Sequence, residues 1–467
     1  MHRDELSQLS KDDLIDLMLA HAEKTAALQA ALVELKAEYE ALRLKLDKGK
    51  KPPTNSSNSS QPPSRDRKRS LPSDRFKRKH GPPAGHPKYE RKFVVSPDHI
   101  VNLKAKSCAT CHEDLGAANS TLQDVNQITE LPPAKAEVIE VRQYAVTCPK
   151  CGQVQVPQPP IGLEMERTFG ARLEATVVYY RQEQHMSYQR TEEALWELHG
   201  VSISQGGIDQ IMQRAGQKAS QQTEAIQEEV CQSAVIHSDE TGSRVNGQNW
   251  WEWVFCTMTA VLHVIRFNRS SDVIQGVMGD HQAEVWVSDC LPAQLKSRAK
   301  QHQVCLAHQI RNLQALIDLY PTVFWAKAMQ VLFRYAIHLH HERGQLPADQ
   351  FLTQVARVER LCDWLIQRPV TQPKASQLQR RYHKYRDCLF ICLHRTDVSP
   401  TNNVSERALR PTVIHRKVIG CFRSGWGARA YAALASVIDT GALSGIDAFD
   451  AILSLFGQPA LPIPSDV

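Results

Sequence analysis

The stretch Ala234-Val-Ile-His-Ser-Asp-Glu-Thr-Gly242 decides how the rest of this 467-residue chain is read. Its apolar run, 234–238, has the length and β-branching of a buried strand. The run delivers Asp239 to the strand's end, with a Gly-containing turn expected to follow. Residues 249–257, with Trp250, Trp251 and Trp253, read as a second strand and 261–267 as a third. Residues 270–278 have helical spacing, and 284–288 read as a fourth strand ending at Asp289. Three strands joined by tight turns, a helix, and a strand returning beside the first make the beginning of an RNase H-like α/β sheet. In that order Asp239 and Asp289 end neighbouring strands, the place where open α/β sheets put their ligands.

Two carboxylates brought together repel, and their joint ionisation calls for a cation. Oxygen ligands suit Mg²⁺ or Mn²⁺. Two such ions about 3.5–4 Å apart activate the attacking oxygen and stabilise the leaving oxygen of a phosphodiester displacement. A lone Asp at a strand end is an ordinary turn former; the relation between the two is what points to metal. A third carboxylate, Glu406, lies in Thr401-Asn-Asn-Val-Ser-Glu-Arg-Ala-Leu-Arg410, which reads as a helix start capped by Asn402 and Asn403. Glu406 and Arg410 share a helix face, and a solvated ion pair worth about 0.3–0.5 kcal/mol accounts for that spacing equally well. Between the second and third carboxylates, about 290–400 reads as a helical insertion opened by Gln303-Val-Cys305-Leu-Ala-His308-Gln-Ile-Arg311-Asn312. Cys305 and His308 lie on one helix face, where packing or DNA contact competes with a metal pair.

The preceding chain divides into four pieces. In 1–47, Leu14, His21, Leu28, Leu35 and Leu42 fall seven apart, with Met18, Thr25, Leu32, Tyr39 and Leu46 four residues on. This is the seam of a self-associating coiled coil, or of one amphipathic helix packed on its own protein. Residues 48–95 are rich in Pro, Ser and Asn and too polar to fold alone. Between Lys48 and Lys92 lie fourteen Lys/Arg against three Asp/Glu, a local +11 within a chain of net +6. Clusters such as Arg65, Arg67, Lys68, Arg69 and Lys77, Arg78, Lys79 fit a linker that also touches DNA phosphates, or a merely solvated one.

In 96–160, Cys108-x-x-Cys111 and Cys148-Pro-Lys-Cys151-Gly have the paired spacing of a structural Zn²⁺ site of zinc-ribbon type. A strand-like run, 136–146, lies between them, and His112 is a rival ligand. In 161–230, a helix over 188–199, a turn at Gly200-Val-Ser-Ile and a second helix over 205–214 have a helix-turn-helix outline. Gln205, Gln210, Gln213 and Arg214 would then face a DNA groove, although plain helical hairpins share the outline. The fold class is thus multidomain α/β. A catalytic domain at 231–430 follows these pieces, and 431–467 hold C-terminal helices and a tail. No apolar run approaches the roughly 18 residues of a membrane span, the first residues do not resemble a signal peptide, and twelve scattered or paired cysteines fit a reducing cytosol.

Taken together, His-Ser-Asp239-Glu-Thr with Trp-x-Trp following, Val-Ser-Asp289, Gln-Val-Cys305-x-x-His308-x-x-Arg311 and Asn-Asn-x-x-Glu406-Arg-Ala-Leu-Arg-Pro411 resemble the IS66-family DDE transposases. The leucine-rich first helix, the Lys-Pro-Pro-Thr-Asn-Ser-Ser linker, the Gly-Pro-Pro-x-Gly-His stretch, the Cys pairs and Arg423-Ser-Gly-x-Gly-Ala-x-x-Ala are similar too. Thr401 and Cys290-Leu-Pro depart from the usual pattern beside the third and second carboxylates. The resemblance implies cutting of insertion-sequence ends and transfer of 3′ ends to target DNA, with Asp239, Asp289 and Glu406 as the metal triad. It also implies DNA contacts from Arg407 and Arg410, a homo-oligomer on two DNA ends, accessory proteins of the same element, and a bacterial cytoplasmic, nucleoid-associated setting. Two alternatives stay open: a transposase-derived, zinc-containing DNA-binding regulator without catalysis, and a metal-dependent nuclease without strand transfer.

Overall fold

The computed structural model describes residues 91–457 except Pro133, Pro160 and Ile161, together with Lys24, Thr25 and Gln29. The coiled-coil seam and the basic clusters at 65–69 and 77–79 lie outside the described residues, save that Lys24, Thr25 and Gln29 are helical and exposed. The chain forms two compact units, one holding residues 141–191 and 205 onward, the other 91–140 and 192–204.

The larger unit begins with a two-strand hairpin, β1 (Val146–Thr147) and β2 (Val154–Gln155). The strand expected over 136–146 is reduced to β1, because residues before Val146 find no partner strand; Val138 is fully exposed. Helix α1 (Ala171–Gln182) follows; α2 (Tyr188–His199) starts in the larger unit and ends in the smaller, and the 28-residue α3 (Gln205–Gln232) is again part of the larger. The helix expected from Gln205 thus continues well past Arg214. One apolar stripe, Ile208, Ile211, Ala215, Ala219, Ile226 and Val230, is buried and holds it along its length.

The sheet has five strands: β3 (Val235–Val245), β4 (Gln248–Cys256), β5 (Val261–Arg266), β6 (Ala283–Ser288) and β7 (Ala299–Val304). Their order is β5-β4-β3-β6-β7, antiparallel from β5 to β3 and parallel from β3 to β7. Helix α4 (Ser271–Met278), capped by the Ser270 hydroxyl, makes the crossover to β6. Two expectations are corrected. Asp239 does not end its strand: β3 runs on through Gly242, paired antiparallel with β4. The turn is Asn246-Gly247, both at positive φ (49° and 77°), the backbone that a two-residue hairpin requires. What ends near Asp239 is the parallel pairing with β6, which covers only Val235–His237. The second correction is β7, a fifth strand inside the stretch read as helical insertion. Its sequence, AKQHQV, is mostly polar because an edge strand needs no two-sided apolar cover.

The helical part of the insertion comprises α5 (Leu306–Leu319), α6 (Phe324–His341), α7 (Ala348–Gln367), α8 (Pro373–Lys384) and the short α9 (Ile391–His394). It has its own core around Phe333, Trp325 and Tyr382, and that core is continuous with Val285 and Val287 of β6. The chain returns as α10 (Asn403–Ile419), α11 (Gly425–Leu443) and α12 (Ala448–Ser454). Helix α11 belongs with the sheet. Its Ser436 and Thr440 hydroxyls accept from the backbone N–H groups of His263 (2.8 Å) and Val261 (3.0 Å), satisfying the outer edge of β5. It also meets α3 so closely that a Cβ at Gly216 would lie 3.1 Å from the Ala430 Cα. No helix among the described residues is long and apolar enough to cross a membrane.

A buried imidazole ties β4, β5 and α11 together. His263 Nδ1 lies 2.9 Å from Glu252 Oε1 and its Nε2 3.0 Å from Asp439 Oδ2, while the Thr412 hydroxyl of α10 donates to the same Glu252 oxygen. Burial opposes a charge on His263, but its bonds to Asp439 and Glu252 prevail and raise it to about 9. A pKa raised in the folded state stabilises fully below the unfolded value of about 6.5 and is lost as pH rises through the folded value. The interaction contributes about 3 kcal/mol on that basis. The difference in urea midpoint between wild type and His263→Gln should therefore be largest near pH 6 and shrink steadily towards pH 10. A constant difference across that range would refute the buried imidazolium.

Candidate active site

Alternation along β3 separates its two acidic neighbours. The pairs Val235↔Val285 and His237↔Val287 put residues 235, 237 and 239 on the same face as 285, 287 and 289. The same offset carried two residues further sets Asp239 beside Asp289, which follows the last residue of β6. Ser238 and Glu240 take the opposite face. There the Trp286 indole donates to Ser238 Oγ (2.7 Å), Ser238 Oγ donates to Gln294 Oε1 (2.6 Å), and Gln294 and Arg269 bond the Glu240 carboxylate. Arg269 also stacks over Trp251. Glu240 is thereby committed to a buried network and kept from the Asp239 face.

The third carboxylate is delivered by Asn402, which is fully buried at the start of α10. The sequence suggested a helix cap, and Asn402 does hold the cap position, but its side chain caps no helix N–H. Its Nδ2 instead donates to the Ser238 carbonyl (2.7 Å), one residue before Asp239, and its Oδ1 accepts from the Ser405 hydroxyl (3.1 Å). Its backbone N–H donates to Cys305 Sγ (3.2 Å), and Cys305 N–H in turn donates to the Ser288 carbonyl (2.8 Å), one residue before Asp289. One residue therefore ties the start of α10 to the segments that carry both aspartates. Cys305 is fully buried and pushed up to about 11 by burial, so it packs rather than ligates.

Glu406 does not pair with Arg410, which is exposed on α10 together with Arg407. Its partners come from α5: Arg311 Nη2 donates to Glu406 Oε1 (2.7 Å), and His308 Nε2 stands 3.6 Å from the same oxygen. Arg311 Nη2 also lies 2.8 Å from His308 Nε2. Burial and the Arg311 charge lower His308, while Glu406 and Asp289 act on it in the opposite sense. Sequence reasoning noted His308 and Arg311 but could not place them; their i,i+3 spacing on one helix face was the available signal.

Asp239 is held well above the usual carboxylate range, first by burial and then by Glu240, Asp289 and Glu406. It accepts from the Glu240 N–H (2.9 Å) and has no ion-pair partner among the described residues. Asp289 Oδ1 accepts from the Leu291 N–H (2.8 Å). A buried carboxylate facing two more acids fits a cation site of oxygen ligands. Among the described residues no three His, Cys, Asp or Glu side chains are gathered as a preformed metal cluster; Glu406 is drawn toward α5 by Arg311. In the loop after Asp289, the half-buried Cys290 is pushed up to about 11 by burial, and Arg381 of α8 is near enough for its charge to oppose that rise.

The two Cys-x-x-Cys turns are built alike, each within its own unit. Cys108 N–H donates to the Glu113 carbonyl and His112 N–H to the Cys108 carbonyl; Cys148 with Gln153 and Gly152 with Cys148 repeat the pattern, all at 2.8–2.9 Å. His112 (φ 57°) and Gly152 (φ 73°) occupy the same left-handed position. Backbone N–H groups of Cys111 and Thr110 lower the Cys108 thiol to about 7, and those of Cys151 and Lys150 lower Cys148. Thiols so disposed suit metal binding as thiolates. The residues read as facing a groove, Gln205, Gln210, Gln213 and Arg214, are all exposed; Gln213 donates to Asp209 and Arg214 pairs with the buried Glu174.

Replacing Asn402 by Ala would remove buried hydrogen bonds from the Ser238 carbonyl and the Ser405 hydroxyl. Buried unpaired groups cost about 1–3 kcal/mol each, so the urea midpoint should fall by an amount in that range. An unchanged midpoint would show that this amide does not hold α10 to β3.

No individual curated protein matches the chain. Residues 105–152 match the zinc-finger binding domain of transposase IS66. Residues 166–430, more than half of the chain and the whole span from α1 through the sheet and insertion to α10, match the transposase IS66 family. The carboxylate-bearing sheet and the paired-cysteine module thus fall within these matches, and the chain belongs to the IS66 transposase family.

Proposed function

We propose that this transposase cuts and joins DNA by metal-dependent DDE chemistry with Asp239, Asp289 and Glu406 as its carboxylates. The observation that carries the reading is the Asn402 lock, which brings Glu406 into the electrostatic reach of Asp239 and Asp289. A mixed sheet of order β5-β4-β3-β6-β7, whose first three strands form a meander, supports an RNase H-like core. Two Mg²⁺ or Mn²⁺ ions, when bound, would supply activation of the attacking oxygen and charge stabilisation at the leaving oxygen. The chain's own contributions are separate. Asp239 and Asp289 are presented on one sheet face, rigidly, from adjacent parallel strands. Arg311 and His308 orient Glu406, and the Glu240–Arg269–Gln294 network keeps a fourth carboxylate out of the site. Arg407 and Arg410 project from the exposed side of α10, where DNA phosphates would meet them. DNA ends and target are the partners on this reading, with a homo-oligomer and element-encoded accessory proteins completing the assembly.

The cysteine turns support a structural role for Zn²⁺, held by Cys108, Cys111, Cys148 and Cys151. Four thiolates would leave no open position for substrate.

Labelled terminal DNA with Mg²⁺ tests the chemistry. Partners behind a metal ligand are worth about 10–100-fold, so Asp239→Asn and Glu406→Gln should each lower cleavage and joining by at least about 100-fold while still binding DNA. Cleavage retained in either variant would remove that residue from the site. Binding without any cleavage by the wild type, even with the element's other products added, would favour the non-catalytic regulator. Cutting without joining to an added target would favour a nuclease. Cys148→Ser should reduce the zinc released on denaturation, and an unchanged zinc content would exclude that ligand.

A further inference from the structure

Helix α8 carries Lys374, Arg380, Arg381, His383 and Lys384 and no acidic residue. Its Ala375, Leu378 and Tyr382 are buried in the insertion core, which fixes the helix. Between α8 and α5 runs a groove of about 390 Å³. Asn312, Lys374, Gln377 and Arg381 supply its polar lining above Leu316 and Leu378. That volume is at the small end of ligand sites, roughly 300–1,000 Å³. It admits a nucleotide unit but not a folded domain.

The groove shares helix α5 with the candidate active site. Arg381 Nη2 donates to Gln309 Oε1 (3.0 Å), and Gln309 is buried beside His308 in sequence. That bond anchors the Arg381 guanidinium to α5 at the groove's edge. Along α5, His308, Asn312, Ala315 and Leu319 follow one another at helical spacing on one flank. The groove therefore begins one turn from the residue that touches Glu406 and extends roughly 16 Å from it at 1.5 Å per residue. A strand lying at the carboxylates would run its neighbouring phosphates along this flank.

We propose that the α5–α8 groove is a phosphate subsite that seats the DNA strand a few nucleotides from the bond being cut, with Arg381 and Lys374 as its cationic contacts. The contact is to backbone and not to base edges, so it adds affinity and register without sequence preference. It rests on the DNA-cutting reading above.

The test uses the full-length protein and terminal duplexes carrying one neutral methylphosphonate linkage at successive positions near the scissile bond. For wild type, one or two positions should weaken binding by about 10-fold, the order expected for a lost charged hydrogen bond. Lys374→Gln and Arg381→Gln should bind the unmodified duplex correspondingly less well, lose about one unit of salt slope, and feel no further loss from those linkages. Gln377→Glu, an exposed change that disturbs no buried contact, should weaken binding in the same way. Variants that bind like wild type, or that respond to every neutral linkage as wild type does, would overturn the groove. Those outcomes in a protein that still cleaves count against the groove alone. A wild type without metal-dependent cleavage counts against the underlying function.

Discussion

One buried amide holds the carboxylate-bearing segments of this protein together. The Asn402 side chain and backbone bond to Ser238, Ser405 and Cys305, residues up to 164 positions away in the chain. Each of these contacts lies beside one of three carboxylates: Ser238 before Asp239, Cys305 on the backbone of Ser288 before Asp289, and Ser405 before Glu406. A carboxylate triad cannot be held by mutual attraction, since like charges at short range repel. Its geometry must come from neutral groups next to it, and a fully buried Asn with all its polar atoms in use is rigid enough to provide that.

The second constraint is electrostatic sorting. Four acids lie near the end of the parallel pairing, and only three are proposed for chemistry. Glu240 is diverted by strand alternation and then neutralised by Arg269 and Gln294. Glu406 is restrained by Arg311, leaving Asp239 as the acid most disfavoured in its charged form. The insertion is part of this arrangement. Through α5 it brings the cation that restrains Glu406, and through Val285 and Val287 its core is anchored to the strand that carries Asp289.

Much of the fold was legible because the physics is local. The alternating and branched residues of β4, β5 and β6 announced strands within one residue of their ends, and those of β3 announced its start, while Ser270 and Gly200 punctuated helices as their side chains or lack of one require. Errors fell where a partner decides. The polar strand β7 exists because β6 offers it an edge, while residues 136–145 have strand-like composition but no neighbouring strand among the described residues. The Gly242 turn was misplaced because Asn246-Gly247, a stronger hairpin signal, lies just beyond it.

The sequence by itself determined the materials: three carboxylates at recognisable positions, two cysteine turns with matched spacing, and the periodicities of the strands and helices around them. These are properties of short windows, set by rotamers, caps and alternation. Which acids meet, and which are turned away, was decided only in the tertiary structure. The partners of Asn402, Glu240 and Glu406 are remote in the chain, and an i,i+4 pattern on α10 named Arg410 where the folded protein uses Arg311. Such choices depend on which side chains burial forces together, and burial is a property of the whole fold rather than of any segment.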